Sequence, residues 1–532
     1  MDDQISTPET DSPVLVVGAG PVGAVLALEL ARLGVPSVLL DRSTAPSAHP
    51  KMDYLNARSM QLLARLGLAE EIRRRGVAPE HPFTFVWTRG ADEPPVATWD
   101  YASVEELTAR IERSDDGTLP SQAHQRLQGS LLEEILRAEL RRSPLVDFRE
   151  GWAFEGLVQD ADGVTATVRE AGGPALTLRA GFVVGCDGAS SDVRSSAGIG
   201  VSQLGPTTRH RDVYFRSADP ALRRHGRAFL TITGRGLTLV SRDEVDTWTG
   251  TMLLQESTAE LDPVEVMREA LGADFVVDQV LSVVDWEGRL AVADSYRSGR
   301  VLIAGDAAHQ FYPTGGHGAN TGIVDAADLA WKLAGIVRGW AGAAVLDAYE
   351  QERRPVALFN REMCSNLLEV WLRFFRLAAA GASREHLAGF LHHERYQMDN
   401  LGIHFGYRYA TSPLVVPDGT PAPAWDWNRV PATTWPGSLL PAARLPHGPW
   451  VDQALGHAFT LVDLSGDHAG KELVRQAEDR GLPMAHLAVD SPRLRELYER
   501  DLVLVRPDHH VAWRGDEPPA DWAAVLDRVA GR

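Results

Sequence analysis

The chain has 532 residues, of which 44% are hydrophobic and 23% charged, and a formal net charge of −19 at pH 7. One hydrophobic core rarely serves so long a chain, so we expect two or three domains. The negative charge argues against nucleic acid or an anionic membrane surface as a partner. Cys186 and Cys364 form no CxxC pair or metal-spaced cluster, which excludes a disulfide scaffold, a zinc module and an iron–sulfur site.

The first 12 residues are polar and acidic, unlike a signal or transit peptide. No uncharged apolar run approaches the length needed to span a bilayer. We therefore expect a cytoplasmic protein that crosses no membrane.

A strand, a glycine-rich turn and a helix form the first predicted unit. Residues 14–17 are apolar and indicate a buried strand. Three glycines with GxGxxG spacing then lead into an apolar helix: Gly18, Gly20 and Gly23. A second buried strand, 37–40, ends at Asp41, where a carboxylate can bind a ribose hydroxyl. A pyrophosphate can bind at the helix N-terminus, so this unit predicts a dinucleotide site.

Helices and short strands follow up to residue 199. Helices are predicted over 58–67 and 125–140, and strands over 146–148, 152–159, 164–169, 176–179 and 181–185. Residues 82–120 mix short strands with polar stretches and are interpreted as an insertion.

Residues 200–290 have the pattern of successive β-strands, unlike the mixed helices and strands before them. They predict a sheet inserted into the first domain. The α/β pattern of the first domain then resumes. It consists of a buried strand ending at Asp306, a glycine-rich loop, a helix from about 321 to 337 and long helices over 343–375. We assign residues 1–199 and 291–411 to a dinucleotide-binding domain, 200–290 to a β-sheet domain, 412–454 to a linker and 455–532 to a compact β/α module.

Three predicted strands end in an acidic residue: Asp41, Asp187 and Asp306. Each of the last two could simply cap a helix. Ligands of open α/β sheets bind at the carboxyl ends of strands, and carboxylates there suit sugar hydroxyls. Acids spread over nearly 300 residues exceed the roughly 150 residues of a nicotinamide-binding fold and favour FAD. The glycines from 315 to 322 are either a mobile loop or a close approach to a flavin at a helix N-terminus.

The segments GAGPVG, CDGASSDVR and GRVLIAGDAAHQFYPTGGHGANTGIVDAADLAWKLA resemble the single-component FAD-dependent aromatic monooxygenases typified by para-hydroxybenzoate hydroxylase and phenol hydroxylase. The resemblance covers essentially the whole chain and is greatest to the branch that modifies natural products. It implies an α/β fold: a Rossmann-like FAD-binding domain, an inserted β-sheet substrate domain and a C-terminal thioredoxin-like domain, here without CxxC.

The resemblance also assigns cofactor contacts. Those expected to bind FAD are Gly18, Gly20, Gly23, Asp41, Arg42, Lys51, Gln125, Asp187, Asp306, Gly316, Gly318, Ala319 and Asn320. Asp187 is also expected near NADPH or NADH. Lys51 stands where the family usually has an arginine, and it keeps the charge but loses the bidentate fork.

The family reaction has two halves. NADH or NADPH reduces FAD, and reduced flavin reacts with O₂ to a C4a-hydroperoxide that an electron-rich aromatic ring attacks. The resemblance places the Pro313 carbonyl beside the reacting ring. Tyr214 and His317 are candidates for moving the substrate proton, although either could be an ordinary core residue.

Other functions remain open. A Baeyer–Villiger or decarboxylating flavin oxygenase would share the scaffold, and a non-catalytic protein could use the fold for binding. The expected partner is a small aromatic substrate, with a homo-oligomer possible and no metal site predicted. We expect the C-terminal module to support the fold or an oligomer contact rather than gate the substrate.

Overall fold

The computed structural model describes residues 12–49, 51–254, 256–257, 259–467 and 469–532. The expectation that the N-terminal stretch is no targeting peptide falls mainly on residues 1–11 and so lies outside the described residues. Among the helices that are described, none combines the length and the apolar character required to cross a bilayer.

A mostly parallel sheet forms the core of the first domain. Its strands lie in the order Arg297–Ser298, Val301–Ile303, Ala175–Gly185, Ser12–Val17, Ser37–Asp41 and Val146–Glu150, with Val164–Glu170 and Trp152–Gln159 added as a side hairpin. Val17 lies opposite both Gly185 and Leu40, so the carboxyl ends of these parallel strands meet at one edge. This confirms the predicted α/β fold.

Helices cover this sheet and bring the later part of the chain back onto it. The helix Pro21–Arg32 packs against Gly129–Arg142 and against His317–Val337, which we call the central helix. Shorter helices are Ala57–Arg65, Ala69–Arg75 and Asp192–Ser196. The predicted helix 125–140 begins only at Gly129, because Gln125–Arg126 pairs as a strand with Tyr54–Leu55.

A second sheet has seven strands in the order Gln279–Gly288, Thr208–Arg216, Thr247–Leu253, Leu237–Ser241, Leu230–Thr233, Phe83–Thr88 and Ala97–Tyr101. The last two strands lie outside the predicted boundary of 200–290. They join because Phe83–Thr88 pairs in parallel with Leu230–Thr233. Part of the segment 82–120 therefore belongs to this sheet. The helix Val104–Arg113 follows the two strands in the chain.

The helix Ala344–Ala379, which we call the long helix, joins the two sheets. Its last turns and the helix Arg384–Glu394 pack on one face of the second sheet, where Phe374 meets Trp87 edge to face at 5.1 Å. The helix Pro263–Leu271 packs on the opposite face. A small sheet of Val201–Gln203, Ala291–Ala293 and His309–Gln310 lies where the chain returns to the first domain.

Residues 412–454, predicted to be a linker, pack against the rest of the protein at both ends, while residues 417–429 are exposed or half-buried. Leu414, Thr434 and Ala443 are each fully buried. The short helix Leu401–Phe405 precedes the segment, and the short helix Val451–Ala454 ends it. Much of its irregular backbone is therefore packed against the domains rather than a free connector.

The C-terminal domain has the strand order Met484–Ala488, Phe459–Asp463, Leu502–Val505 and Val511–Gly515, with the helices Lys471–Asp479, Pro492–Tyr498 and Trp522–Val529. One parallel pair followed by antiparallel strands is the predicted thioredoxin-like arrangement. The domain shares a hydrophobic core with the first domain, because Phe459 packs edge to face on Trp331 of the central helix at 5.8 Å.

Replacing Phe374 with alanine should loosen the second sheet. The side chain is fully buried, and such a truncation typically costs about 3–5 kcal/mol. Denaturant unfolding followed by tryptophan fluorescence should show an earlier transition. Leu372→Ala is the matched control, since Leu372 lies on the same helix and is 38% exposed. Equal shifts for both variants would contradict this packing.

Candidate functional site

The first glycine turn is tight on the protein side and open on the other. Gly18 has φ +99°, and a Cβ there would lie 2.5 Å from the carbonyl oxygen of Cys186. A Cβ on Gly23 would overlap the backbone of Gly18. A Cβ on Gly20, by contrast, meets nothing within 4 Å. Open space therefore lies in front of Gly20, the N-cap of a helix without a side-chain cap, as a bound pyrophosphate requires.

Asp41 holds this turn together. Its Oδ2 accepts the Ala19 N–H at 2.7 Å, and its Oδ1 accepts the Ser43 N–H at 2.7 Å. Arg137, a buried residue of the helix Gly129–Arg142, approaches the carboxylate at 3.4 Å. Arg42 is exposed beside it. The contribution of Arg137 had no sequence signal, because an arginine in an amphipathic helix looks like a surface residue.

The second strand end offers an unused acceptor. Asp187 Oδ2 accepts the Val193 N–H at 3.1 Å, which supports a short helix. Its Oδ1 is buried and has no hydrogen-bond partner among the described residues. A Cβ on the neighbouring Gly188 would meet nothing within 4 Å. A hydroxyl-bearing ligand fits beside this carboxylate.

Asp306 lies at the third strand end, and its side chain is exposed to water. Desolvation by the surrounding protein raises the pKa of the carboxyl, while His309 and Lys51 act to lower it. Lys51 is itself exposed. An exposed carboxylate thus has an exposed ammonium group close enough to lower its pKa, a combination suited to a ligand with hydroxyl and phosphate groups.

The second glycine loop leads directly into the central helix. Gly315 and Gly316 both have positive φ, 79° and 66°, and the helix begins at His317 rather than at the predicted 321. Gly318, Ala319 and Asn320 therefore form its first turn, not the preceding loop. Gly316 provides no side-chain cap, and a Cβ on Gly318 meets nothing within 4 Å. The positive end of the helix dipole faces open space.

Asn320 anchors this helix end. Its Oδ1 accepts the Asn56 N–H at 2.9 Å and the Ser59 hydroxyl at 2.6 Å, and its Nδ2 donates to the carbonyls of Tyr54 and Gly316 at 3.0 and 2.7 Å. The protein thus occupies the side-chain amide, so any ligand contact at Asn320 must come from its backbone.

His317 and Pro313 flank the two-glycine turn. The His317 ring is 2% exposed and packs beneath Gly315, and burial lowers its pKa to about 4, so the imidazole is neutral at pH 7. Pro313 is exposed, and its carbonyl accepts the Gly316 N–H at 3.0 Å. In this conformation both residues shape the turn.

Gln125 is buried against the protein backbone. Its Nε2 donates to the carbonyls of Val77 and Arg126 at 2.9 and 3.0 Å, and its Oε1 accepts from Arg73 at 3.1 Å. Gln128, which the sequence analysis missed, instead lies between the two sheets. It is the N-cap of the helix Gly129–Arg142, and its Oε1 accepts the Tyr214 hydroxyl at 3.1 Å.

Alternate residues of the strand Thr208–Arg216 face the first domain and define what we call the seam. Tyr214 contacts Gln128 and lies edge to face with His49. The His49 ring bonds Ser282 Oγ through Nδ1 at 2.9 Å and approaches Asp212 through Nε2 at 3.4 Å. This Ser–His–Asp arrangement forms no motif in the sequence, because its members come from three separate segments.

Arg242 lies at the same seam, on the second sheet. It is 6% exposed, contacts Asp53 and donates to Thr249 Oγ1 at 2.9 Å. Burial lowers the pKa of its guanidinium to about 9, which still leaves it charged at neutral pH.

Gly20→Ala should weaken FAD binding without disturbing the fold. The added methyl meets no protein atom but enters the space that a pyrophosphate would occupy. We expect the Kd for FAD, measured by flavin fluorescence, to rise at least about 10-fold, which corresponds to about 1.4 kcal/mol. Gly389→Ala, where a Cβ also meets nothing, should bind FAD normally. An unchanged Kd for Gly20→Ala would count against this placement.

Asp306→Asn should raise the Kd for FAD about 10- to 100-fold near pH 8, since a hydrogen bond to a charged group contributes about 1.5–3 kcal/mol. The raised pKa of Asp306 means that it takes up its proton at a higher pH than an ordinary carboxyl. The wild-type affinity should therefore fall on acidification, starting above the usual titration range of aspartate. In Asp306→Asn this dependence should disappear; its persistence would assign it to another group.

Comparisons with known proteins agree with this arrangement. The FAD binding domain family matches residues 11–360, and the aromatic-ring hydroxylase C-terminal family matches residues 433–532. The chain is 34% identical to FAD-dependent monooxygenase apdD of Emericella nidulans, over 94% of this chain and 87% of that protein. It is 32% identical to tetracenomycin B2 monooxygenase-dioxygenase of Streptomyces olivaceus, over 98% of both chains.

Solved structures give the same result. RebC with bound 7-carboxy-K252c has a TM-score of 0.87 and 30% identity, over 98% of this chain and all of that one. Aklavinone-11 hydroxylase in complex with FAD and aklavinone has a TM-score of 0.82 and 28% identity, over 99% of this chain and all of that one. The strand-end carboxylates, the open glycines and these matches together show that the chain belongs to the FAD-dependent aromatic-ring hydroxylases.

Proposed function

We propose that this enzyme uses NADH or NADPH and O₂ to hydroxylate a phenolic ring of a polycyclic aromatic natural product. The observation that carries the proposal is the Tyr214–Gln128 hydrogen bond, which joins the polar seam to the first domain, the domain that presents the open glycines and the strand-end carboxylates. The relatives named for tetracenomycin B2 and aklavinone, and RebC bound to 7-carboxy-K252c, support a large planar substrate.

FAD, when bound, supplies the redox chemistry and the activated oxygen. In this proposal Gly20 and Asp41 lie at its adenosine and pyrophosphate half, and Asp306 and Lys51 lie along its polar chain. The first turn of the central helix, at Gly318 and Ala319, would offer backbone N–H groups and the positive end of the helix dipole to negative charge on a bound flavin. Asp187, with its unpaired Oδ1, lies at the same edge of the sheet.

The seam orients the substrate and handles its proton. Burial raises the pKa of the Tyr214 phenol, so its hydroxyl stays protonated at neutral pH and donates a hydrogen bond. Arg242 supplies a buried positive charge that favours an ionised phenol over a neutral one. His317 and Pro313 keep the two-glycine turn in shape ahead of the central helix. Exclusion of bulk water by the packed sheets limits wasteful release of hydrogen peroxide.

The test begins with the purified protein, which should be yellow and oxidise NADH or NADPH faster when an acceptor ring is present. Phenols, hydroxypyridines and polycyclic quinols are the substrates to screen, with product identified by mass and NMR. A ring hydroxyl supports the proposal, and a ring-expanded ester or loss of CO₂ would establish the Baeyer–Villiger or decarboxylating alternative. A colourless protein that takes up no FAD would overturn the proposal.

Tyr214→Phe should lower kcat/KM for ring hydroxylation about 10-fold, because one buried hydrogen bond contributes about 0.5–1.5 kcal/mol. The fraction of reducing equivalents lost as hydrogen peroxide should rise, while the Kd for FAD stays the same. Tyr396→Phe is the matched control, since Tyr396 is 39% exposed. If Tyr214→Phe behaves like this control, Tyr214 has no role at the substrate.

A further inference from the structure

We propose that the C-terminal domain contributes to FAD binding by positioning elements of the site. Arg506 and His510 fix the position of the central-helix N-terminus and of the loop at Asp306. Neither residue belongs to a sequence motif of the site. The inference rests on FAD binding and does not depend on which reaction the bound flavin performs.

Arg506 is the main connection. It follows the strand Leu502–Val505 and is fully buried between the central helix and the long helix. Its guanidinium bonds Glu352 of the long helix at 2.5 and 2.8 Å and Asp328 of the central helix at 3.2 Å. It also bonds Asp508 of its own domain at 2.7 Å. One side chain therefore joins three elements.

Three acidic and two basic side chains meet in this cluster. Asp328, Glu352 and Asp508 have carboxyl oxygens within 4.8 Å of one another, and Lys332 bonds Asp328 at 2.6 Å and also contacts Glu352. Burial raises the pKa of Asp328 well above its usual range. Burial alone would raise the pKa of Glu352, but Arg506 and Lys332 lower it to about 2. The cations Arg506 and Lys332 thus lie among the three carboxyl groups and fill the place that a metal ion would need.

Arg353, the next residue of the long helix, connects the cluster to the FAD site. It bonds Asp325 at 2.7 Å and donates to the Thr321 carbonyl at 3.3 Å, near the start of the central helix. Asp325 in turn bonds His309 at 2.8 Å and accepts the Gly305 N–H at 3.3 Å. Gly305 directly precedes Asp306. A shift of Arg353 would therefore displace both the strand-end carboxylate and the helix N-terminus.

His510 provides a second route. Its ring stacks on Tyr409 at 4.0 Å, and the Arg506 guanidinium lies 5.1 Å from the centre of the same tyrosine ring. The Tyr409 hydroxyl accepts a hydrogen bond from Arg353 at 3.2 Å. The C-terminal domain thus restrains Arg353 both through its neighbour Glu352 and through Tyr409.

Docking of the C-terminal domain on the first domain does not require this ionic cluster. The contact between Phe459 and Trp331 already docks the domain, and well-packed apolar residues are often as stable as a buried ion pair or more so. The ionic contacts instead define one geometry, since a guanidinium with several fixed partners tolerates little displacement.

The experiment compares Arg506→Lys with Arg514→Lys in the full-length protein. Arg514 is also a buried arginine of the C-terminal domain, 6% exposed, but its partners are Asp418, Glu499, Thr420 and Thr434 rather than the two helices. Three properties are measured for each: the Kd for FAD, the midpoint potential of bound flavin and the thermal midpoint of the apoprotein.

We expect Arg506→Lys to raise the Kd for FAD at least about 10-fold and to make the flavin potential more negative, whereas Arg514→Lys changes neither at a similar loss of thermal stability. Tyr409→Phe, which keeps the stacking and removes only the acceptor for Arg353, should raise the Kd about 3-fold with the fold intact. It also tests the proposal if Arg506→Lys is too unstable to purify.

Equal effects of Arg506→Lys and Arg514→Lys on FAD affinity, or an unchanged potential in both Arg506→Lys and Tyr409→Phe, would overturn the inference. Wild-type protein that binds no FAD would overturn it together with the proposed function. Wild-type protein that binds FAD but hydroxylates no ring would overturn the proposed function alone.

Discussion

The parallel register of the first sheet is the constraint on which the rest of the site depends. Because Val17, Leu40 and Gly185 lie side by side, the segments that follow them emerge at one edge, although they are far apart in sequence. The strand Val301–Ile303 extends this alignment. Three acidic side chains and two helix N-termini can therefore act on one extended ligand without any long-range motif in the chain.

The second sheet and the C-terminal domain stabilise this edge from different directions. The sheet contributes a polar face at the seam, where Asp212, Tyr214 and Ser282 meet side chains of the first domain. The C-terminal domain contributes apolar docking at Trp331 and a buried ionic cluster around Arg506. Apolar contacts hold the domain against its neighbour, while the charged contacts specify the position in which it is held.

The features that the sequence predicts are those determined by residues that are close together in the chain. The glycines Gly18 and Gly23 are required by a tight turn, Gly20 leaves open space beside it, and Asp306 follows a plainly apolar strand, so these features could be found without a structure. Residues 82–120 were interpreted as an insertion because the strand Phe83–Thr88 pairs with a strand more than 100 residues away, and Ala97–Tyr101 joins the second sheet through it. Gln128 had no sequence signal, since only the pairing of Gln125–Arg126 with Tyr54–Leu55 reveals where the helix begins. Residues 412–454 looked like a linker because burial of an irregular backbone leaves no periodic pattern.

The distance in sequence between Arg506 and its partners has a consequence for biosynthesis. Domains fold largely in the order in which the ribosome makes them, and Asp328 and Glu352 are synthesised long before Arg506. Until that arginine emerges, Asp328 and Glu352 lack one of the cations that bond them, and Lys332 is left to bond both. If Arg506 positions the FAD site as proposed, the nascent chain should bind its cofactor at full affinity only after the C-terminal strands have been translated.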